Sequence, residues 1–228
     1  MLSKPLVYQE FLFHQKLAPY ETDLLRSAVL QITKNNDNLY HNHLQDGFIY
    51  RYPLIQYKSI LGHAAILYLG EAIKSINKLF ANQSQEIKIE DRTFDFGIKK
   101  IHAQLYQLQM LNPGKTYDII NWLPLQDDNF KQYRLLKTEE EKINFLKRIL
   151  IANILAFAKA VDWQIEEEIN IENFKIYKQK WISFKDQKFL GFNVRFTTNL
   201  FLPPHIGLGK GAAHNYGVIF PVKKMQVK

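Results

Sequence analysis

The chain has 228 residues, 46% of them hydrophobic, with 16 Phe and 12 Tyr, enough for a packed core in one large domain or two small ones. It contains no cysteine, which excludes disulfides and cysteine-ligated zinc. Its longest apolar run, Ile149 to Phe157, is broken by Asn153 and falls short of the roughly 18–20 residues that span a bilayer. The formal charge of +8 points towards an acidic partner such as nucleic acid. All of this excess lies in the last quarter. From Ile176 to Lys228 there are nine Lys and Arg against the single acid Asp186, and the preceding residues balance. A solvated, solubilising face and a nucleic-acid surface both fit such a distribution. The opening MLSKPLVYQE lacks the apolar core of a signal peptide, so a soluble, cytoplasmic protein without membrane contact is expected.

In chain order, the aromatic and branched residues of Leu6 to Lys16 predict a strand. Pro19 suits the first turn of a helix, and Leu24, Leu25, Ala28, Val29 and Ile32 carry it to about residue 34. The polar run Asn35-Asn36-Asp37-Asn38 ends it. Asp46-Gly47 is a turn signal, followed by strands over Phe48 to Lys58 and Ala64 to Leu69. Gly70 leads into a short helix with the stripe Ile73, Ile76, Leu79 and Phe80. The β-rich stretch Glu86 to Ile120 then closes a strand-helix-strand-strand-helix-strand unit and continues into hairpins. That order is the ferredoxin-like signature.

A connection at Asn121 to Leu125 precedes a short helix at about 127–136. Thr138 and Glu141 form a capping box. Ile143, Leu146, Ile149, Leu150, Ile154 and Phe157 line one face of a long helix ending near Val161. In the following β region, Leu190, Phe192, Val194, Phe196, Thr198, Leu200 and Leu202 alternate with a period of two. This face is expected in the core, and the opposite one carries Asn193, Arg195, Thr197 and Asn199. The chain is expected to divide into domains at 1–120 and 121–228.

Two segments hold candidate chemistry. Ile206 to Val218 has Gly207, Gly209 and Gly211 around Lys210. Such a loop either turns backbone amides towards a phosphate or simply makes a tight turn between strands. A P-loop is excluded because Gly211, not Ser or Thr, follows Lys210. A dinucleotide-binding fold is excluded because only 11 residues follow Gly217. The second segment is Tyr40-His41-Asn42-His43, with Tyr50, Arg51 and Tyr52 downstream. Imidazoles are the natural acid–base groups near neutral pH, although a pair in a polar loop is also compatible with no role. No carboxylate cluster accompanies the pair, so no metal is expected.

Three segments together resemble a known family. These are His41-Asn42-His43 with Gly47-Phe48-Ile49-Tyr50-Arg51-Tyr52-Pro53-Leu54-Ile55-Gln56-Tyr57-Lys58, then Ala152-Asn153-Ile154-Leu155-Ala156-Phe157-Ala158-Lys159, and Phe196-Thr197-Thr198-Asn199 leading into Ile206 to Gly211. In this order they resemble the b-type branch of the CRISPR-associated endoribonucleases that cut repeat RNA. The family pattern has Gly where Ala152 stands, and its loop closes as Gly-hydrophobic-Gly where this chain reads Asn215-Tyr216-Gly217. Asparagine tolerates the left-handed backbone. The resemblance implies an α+β protein of two ferredoxin-like (RNA-recognition-motif-like) domains in tandem, with the glycine-rich loop in the second. It also implies cofactor-free, metal-independent cleavage, with the neighbouring 2′-hydroxyl as nucleophile. On that footing His43 is the general base and His41 its partner or the acid. Tyr50 would be an orienting donor, and Lys34 a charge stabiliser. Arg51, Arg195, Gly207, Gly209, Lys210, Gly211 and His214 would hold RNA. The expected partner is CRISPR repeat RNA, as precursor and as mature guide, with other CRISPR effector subunits as further candidates. The protein would be a monomer or homodimer. A subunit that binds the repeat without cutting it is the alternative.

Overall fold

The computed structural model describes residues 3–33, 43–44, 47–48, 52–81, 86–89 and 92–222. The chain divides into two compact units. The first comprises Pro5–Tyr106 together with Ala213–Asn215, and the second Met1–Lys4, Gln107–Ala212 and Tyr216–Lys228.

In the first unit, β1 (Lys4–Lys16) leads through a turn at Pro19–Glu21 into α1 (Thr22–Ile32). The Glu21 carboxylate accepts from the Ala18 N–H at 2.6 Å and closes that turn. Leu25, Ala28, Val29 and Ile32 form the buried face of α1, at the spacing of a 3.6-residue repeat. The two-residue strands β2 (His43–Leu44) and β3 (Gly47–Phe48) pair antiparallel, His43 opposite Phe48. Then come β4 (Ile55–Ile60), β5 (His63–Leu69) and, after a tight helical stretch from Gly70, α2 (Ile76–Phe80). A hairpin, β6 (Glu86–Ile89) with β7 (Arg92–Asp95), precedes β8 (Ile98–Leu108).

The sheet runs β4-β5-β1-β8, the strand order of the ferredoxin-like fold. Phe11 on β1 packs against Tyr68 on β5 and Phe80 on α2, with ring centroids 5.8 and 5.1 Å apart. The expected strand Phe48 to Lys58 is not continuous, because Tyr52–Leu54 lie outside any strand. Pro53 has no N–H to give to a ladder.

The second unit holds β9 (Met110–Trp122), α3 (Asp127–Leu135), α4 (Glu139–Ala160), β10 (Ile171–Phe184), β11 (Gln187–Leu200) and β12 (Val218–Pro221). The expected division after residue 120 therefore falls inside a strand. Here β9 pairs with β11 and β12, so the break comes after Tyr106. The sheet order is β10-β11-β9-β12, the same arrangement again.

The Thr138–Glu141 capping box starts α4, with Glu141 N–H donating to Thr138 Oγ1 at 3.1 Å and Thr138 N–H to Glu141 Oε2 at 3.0 Å. Such a cap is worth about 1 kcal/mol. The alternating residues of β11 from Leu190 to Leu200 are all buried, as are Leu146, Leu150, Ile154 and Phe157 of α4. One position departs from the repeat. Residues 201–217, where the second helix of a ferredoxin-like unit would stand, form a loop without helix. It contains the glycines.

Candidate functional site

The loop is a folded object whose glycines are required by its own packing. Gly207 pairs with Val218 at the start of β12, and the Leu208 N–H donates to the Gly217 carbonyl at 2.9 Å. Gly217 has φ +60°, and a side chain there would collide with the Leu208 carbonyl oxygen. A Cβ on Gly207 would collide with the Ala212 carbonyl. At Gly209 (φ +81°) a Cβ would sit 2.7 Å from Asn153 Oδ1, and at Gly211 (φ +72°) 2.8 Å from the Tyr216 ring. A backbone that passes so close to its neighbours, partly in left-handed conformations, is open only to glycine.

Gly207 is buried, whereas Gly209, Lys210 and Gly211 form a half-exposed tip. Lys210 Nζ lies 4.7 Å from the Phe189 ring centroid, a cation–π contact that still leaves an ammonium at the surface. The tip is supported from beneath by Asn153, whose Oδ1 accepts from Trp122 Nε1 at 2.9 Å. Asn153 is the residue that interrupts the apolar run of α4. Its polarity marked an inconsistency in the helix, and its partner is the reason for it.

Residues 213–215 serve the first unit. β4 is an edge strand, and an edge leaves unpaired N–H groups. The Tyr57 N–H donates to the Ala213 carbonyl at 2.8 Å, and the Ser59 N–H to Asn215 Oδ1 at 3.2 Å. His214 bridges to Tyr57 in parallel. Its Nδ1 lies 2.5 Å from Asp23 Oδ1, and its carbonyl accepts from Thr22 Oγ1 at 3.2 Å, both in the first turn of α1. His214 is 8% exposed, so its geometry is that of an anchor. Asn215 adopts φ +63°, the left-handed conformation that a glycine would supply. Its side chain also caps an edge N–H, which glycine could not do.

Beside this docking segment, Lys58 on β4 is fully buried. Burial pulls its ammonium down to about 7, because desolvation disfavours the charged form.

Arg195 projects from β11 and is held by Asp118 of β9 in a bidentate pair, both bonds 2.8 Å. The carboxylate offsets much of its charge. Lys34, His41, Tyr50 and Arg51 lie outside the described residues, and of His43 only the strand register is described. Thus the structure brings Gly207, Gly209, Lys210 and Gly211 together in the second unit, sets Arg195 on that unit's sheet, and gives His214 to the first. Sequence reasoning missed Asn153 and Trp122 as supports of the tip, and Asp23 as the partner of His214.

Family models agree with this division. One described as the Cas6b N-terminal domain matches residues 6–107, and one described as the Cas6b C-terminal domain matches residues 109–222. A solved structure described as a crystal structure of Cas6b is similar over 96% of this chain and 100% of that chain, with 25% identity and a TM-score of 0.86. A crystal structure of CRISPR RNA processing endoribonuclease Cas6b shares the fold over 96% of this chain and 100% of that one, at 22% identity and a TM-score of 0.72. An uncharacterized protein of Methanocaldococcus jannaschii is 29% identical over 164 residues, 68% of this chain and 100% of the relative.

Proposed function

The chain belongs to the Cas6b family, and from that premise we propose that it cuts CRISPR repeat RNA in precursor transcripts without a metal ion. The observation that carries this reading is the tandem match of both domain models, 6–107 and 109–222, on the two units. The solved structure at 25% identity, described as Cas6b, supports it.

In the proposed step the 2′-oxygen next to the scissile phosphate loses its proton to His43 and forms the O2′–P bond. The P–O5′ bond breaks, and His41 supplies the proton to the leaving 5′-oxygen. The products are a 2′,3′-cyclic phosphate and a 5′-hydroxyl, so atoms and charge balance without a cofactor. Tyr50 would orient the pair, and Lys34 would offset charge gathering on the phosphate. Imidazoles suit both proton transfers near neutral pH.

RNA holding is assigned to the tip, where Lys210 and the amides of Gly209 and Gly211 would meet phosphate, with Arg51 and Arg195 as further contacts. Gly207 and His214 act here by shaping and anchoring the loop. Contacts to phosphate position the strand, while exposed bases and stem shape select it.

The test is the double variant His41→Ala, His43→Ala assayed for cleavage and for binding of repeat RNA. We predict loss of cleavage by at least about 10²-fold, the usual scale of a general acid–base contribution, with affinity retained. Unchanged cleavage would remove the histidines from the mechanism.

A further inference from the structure

We propose that Lys16, His63 and Lys99, at one end of the first unit's sheet, form a phosphate-binding site for the RNA backbone. The proposal rests on the reading of the protein as RNA-binding and adds a contact to it. Lys16 ends β1 and stands opposite His63 in the β1–β5 register, and Lys99 lies near the start of β8, the neighbour of β1 on the other side.

His63 is 7% exposed, with Nδ1 3.2 Å from the His14 carbonyl oxygen. A carbonyl only accepts, so Nδ1 carries the hydrogen and Nε2 presents its lone pair. Both Lys16 Nζ and Lys99 Nζ lie 2.9 Å from that one nitrogen.

Two ammonium groups that each lie 2.9 Å from one nitrogen are at most about 5.8 Å apart. One lone pair satisfies one N–H of the several that converge on it. Among the described residues, neither lysine has a carboxylate partner. Acids placed nearby are already engaged. Glu21 takes Arg92 and the Ala18 N–H, and Asp95 accepts from the Gly97 N–H. Arg92 itself donates to the Lys16 carbonyl at 2.7 Å.

The result is a pair of cations without a carboxylate partner among the described residues, tied to a buried, oriented imidazole. A phosphodiester fits it, with one non-bridging oxygen for each ammonium and with charge of the right sign. Access is open at the adjoining turn. Gly62 has φ +74° and nothing within 4 Å of the position a Cβ would take.

The test is a salt series of repeat-RNA binding by fluorescence anisotropy. It compares the wild type with Lys16→Ala, Lys99→Ala, the double alanine variant and the double arginine variant Lys16→Arg, Lys99→Arg. If both lysines hold one phosphate of a single strand, the double alanine variant flattens the slope of log K against log salt by about 0.7. Each single alanine variant shows most of that loss, and the arginine variant retains the slope. An unchanged slope overturns the site, and a loss about twice as large overturns the sharing of one phosphate.

A second readout follows the His63 ring resonances by NMR during titration with inorganic phosphate. It is independent of the larger functional reading. If the protein bound no RNA, a shift of His63 abolished in the double alanine variant would keep the anion site while the RNA reading fell. Unmoved His63 resonances would overturn the site itself.

Discussion

Lys58 carries an ionisable group in a fully buried position on β4, and the consequence is a definite pH dependence of stability. With its ammonium pulled down to about 7 in the fold against about 10.4 in an unfolded chain, the unfolded state binds more protons between those values. Stability therefore rises as pH climbs from about 7 towards 10, and the cost of burying the group is fully present below pH 7. We predict that Lys58→Met raises the midpoint of thermal unfolding at pH 7, and that the gap to the wild type narrows by pH 10. A gap independent of pH would show that Lys58 is not titrating as its burial requires. Asn215 is the complementary case, since its Oδ1 accepts from the Ser59 N–H and its φ of +63° is one that asparagine tolerates. Asparagine here thus keeps a backbone conformation that glycine adopts freely and adds a bond to the β4 edge.

At the scale of elements, the loop of residues 201–217 stands where a ferredoxin-like unit has its second helix. Its closure depends on Gly217, where an alanine would meet both the left-handed φ and the Leu208 carbonyl. We predict that Gly217→Ala costs about 2 kcal/mol or more and lowers the unfolding midpoint by about 4–8 °C. Lys210→Ala, at the half-exposed tip, is predicted to leave that midpoint within about 1 °C while weakening RNA binding. Calorimetry beside a binding isotherm checks both variants, and the reverse pattern would contradict the division into support and contact.

Elements with a strong local repeat were legible in the sequence. The capping box and apolar stripe of α4, and the period-two alternation of β11, appear where their patterns place them. The boundary between units was not. β8 has mostly exposed side chains, and β9 follows it directly, so nothing in their polarity shows that one closes a sheet and the other opens a new one. Pro53 was the one local sign of the interruption before β4, set inside an otherwise strand-like run. Of the candidate site, the glycines and Lys210 could be read from local composition, and each proves to sit in one loop. Lys16, His63 and Lys99 could not, because sheet register alone brings together residues so far apart in the chain. For the same reason Asp23 could not be matched to His214.

For the molecule as a whole, part of the net charge of +8 has a visible location among the described residues. Lys175, Lys178, Lys180, Lys185 and Lys188 are all exposed along the β10–β11 hairpin, beside the exposed rings of Tyr177 and Trp181. Cations with accessible aromatic rings suit a nucleic-acid strand, where charge attracts the backbone and rings can stack on bases. Two ferredoxin-like units, the second with a glycine-rich loop in place of a helix, give the frame in which the family's chemistry is proposed to operate.

The central claim is metal-independent cleavage of repeat RNA by the 2′-hydroxyl. It is tested most directly by incubating the purified protein with its host's repeat RNA in excess EDTA and analysing product length and end groups. The account predicts one cut per repeat, with a 2′,3′-cyclic phosphate upstream and a 5′-hydroxyl downstream. Intact RNA in EDTA that is cut when a divalent ion is restored, or products with 5′-phosphate ends, would contradict it.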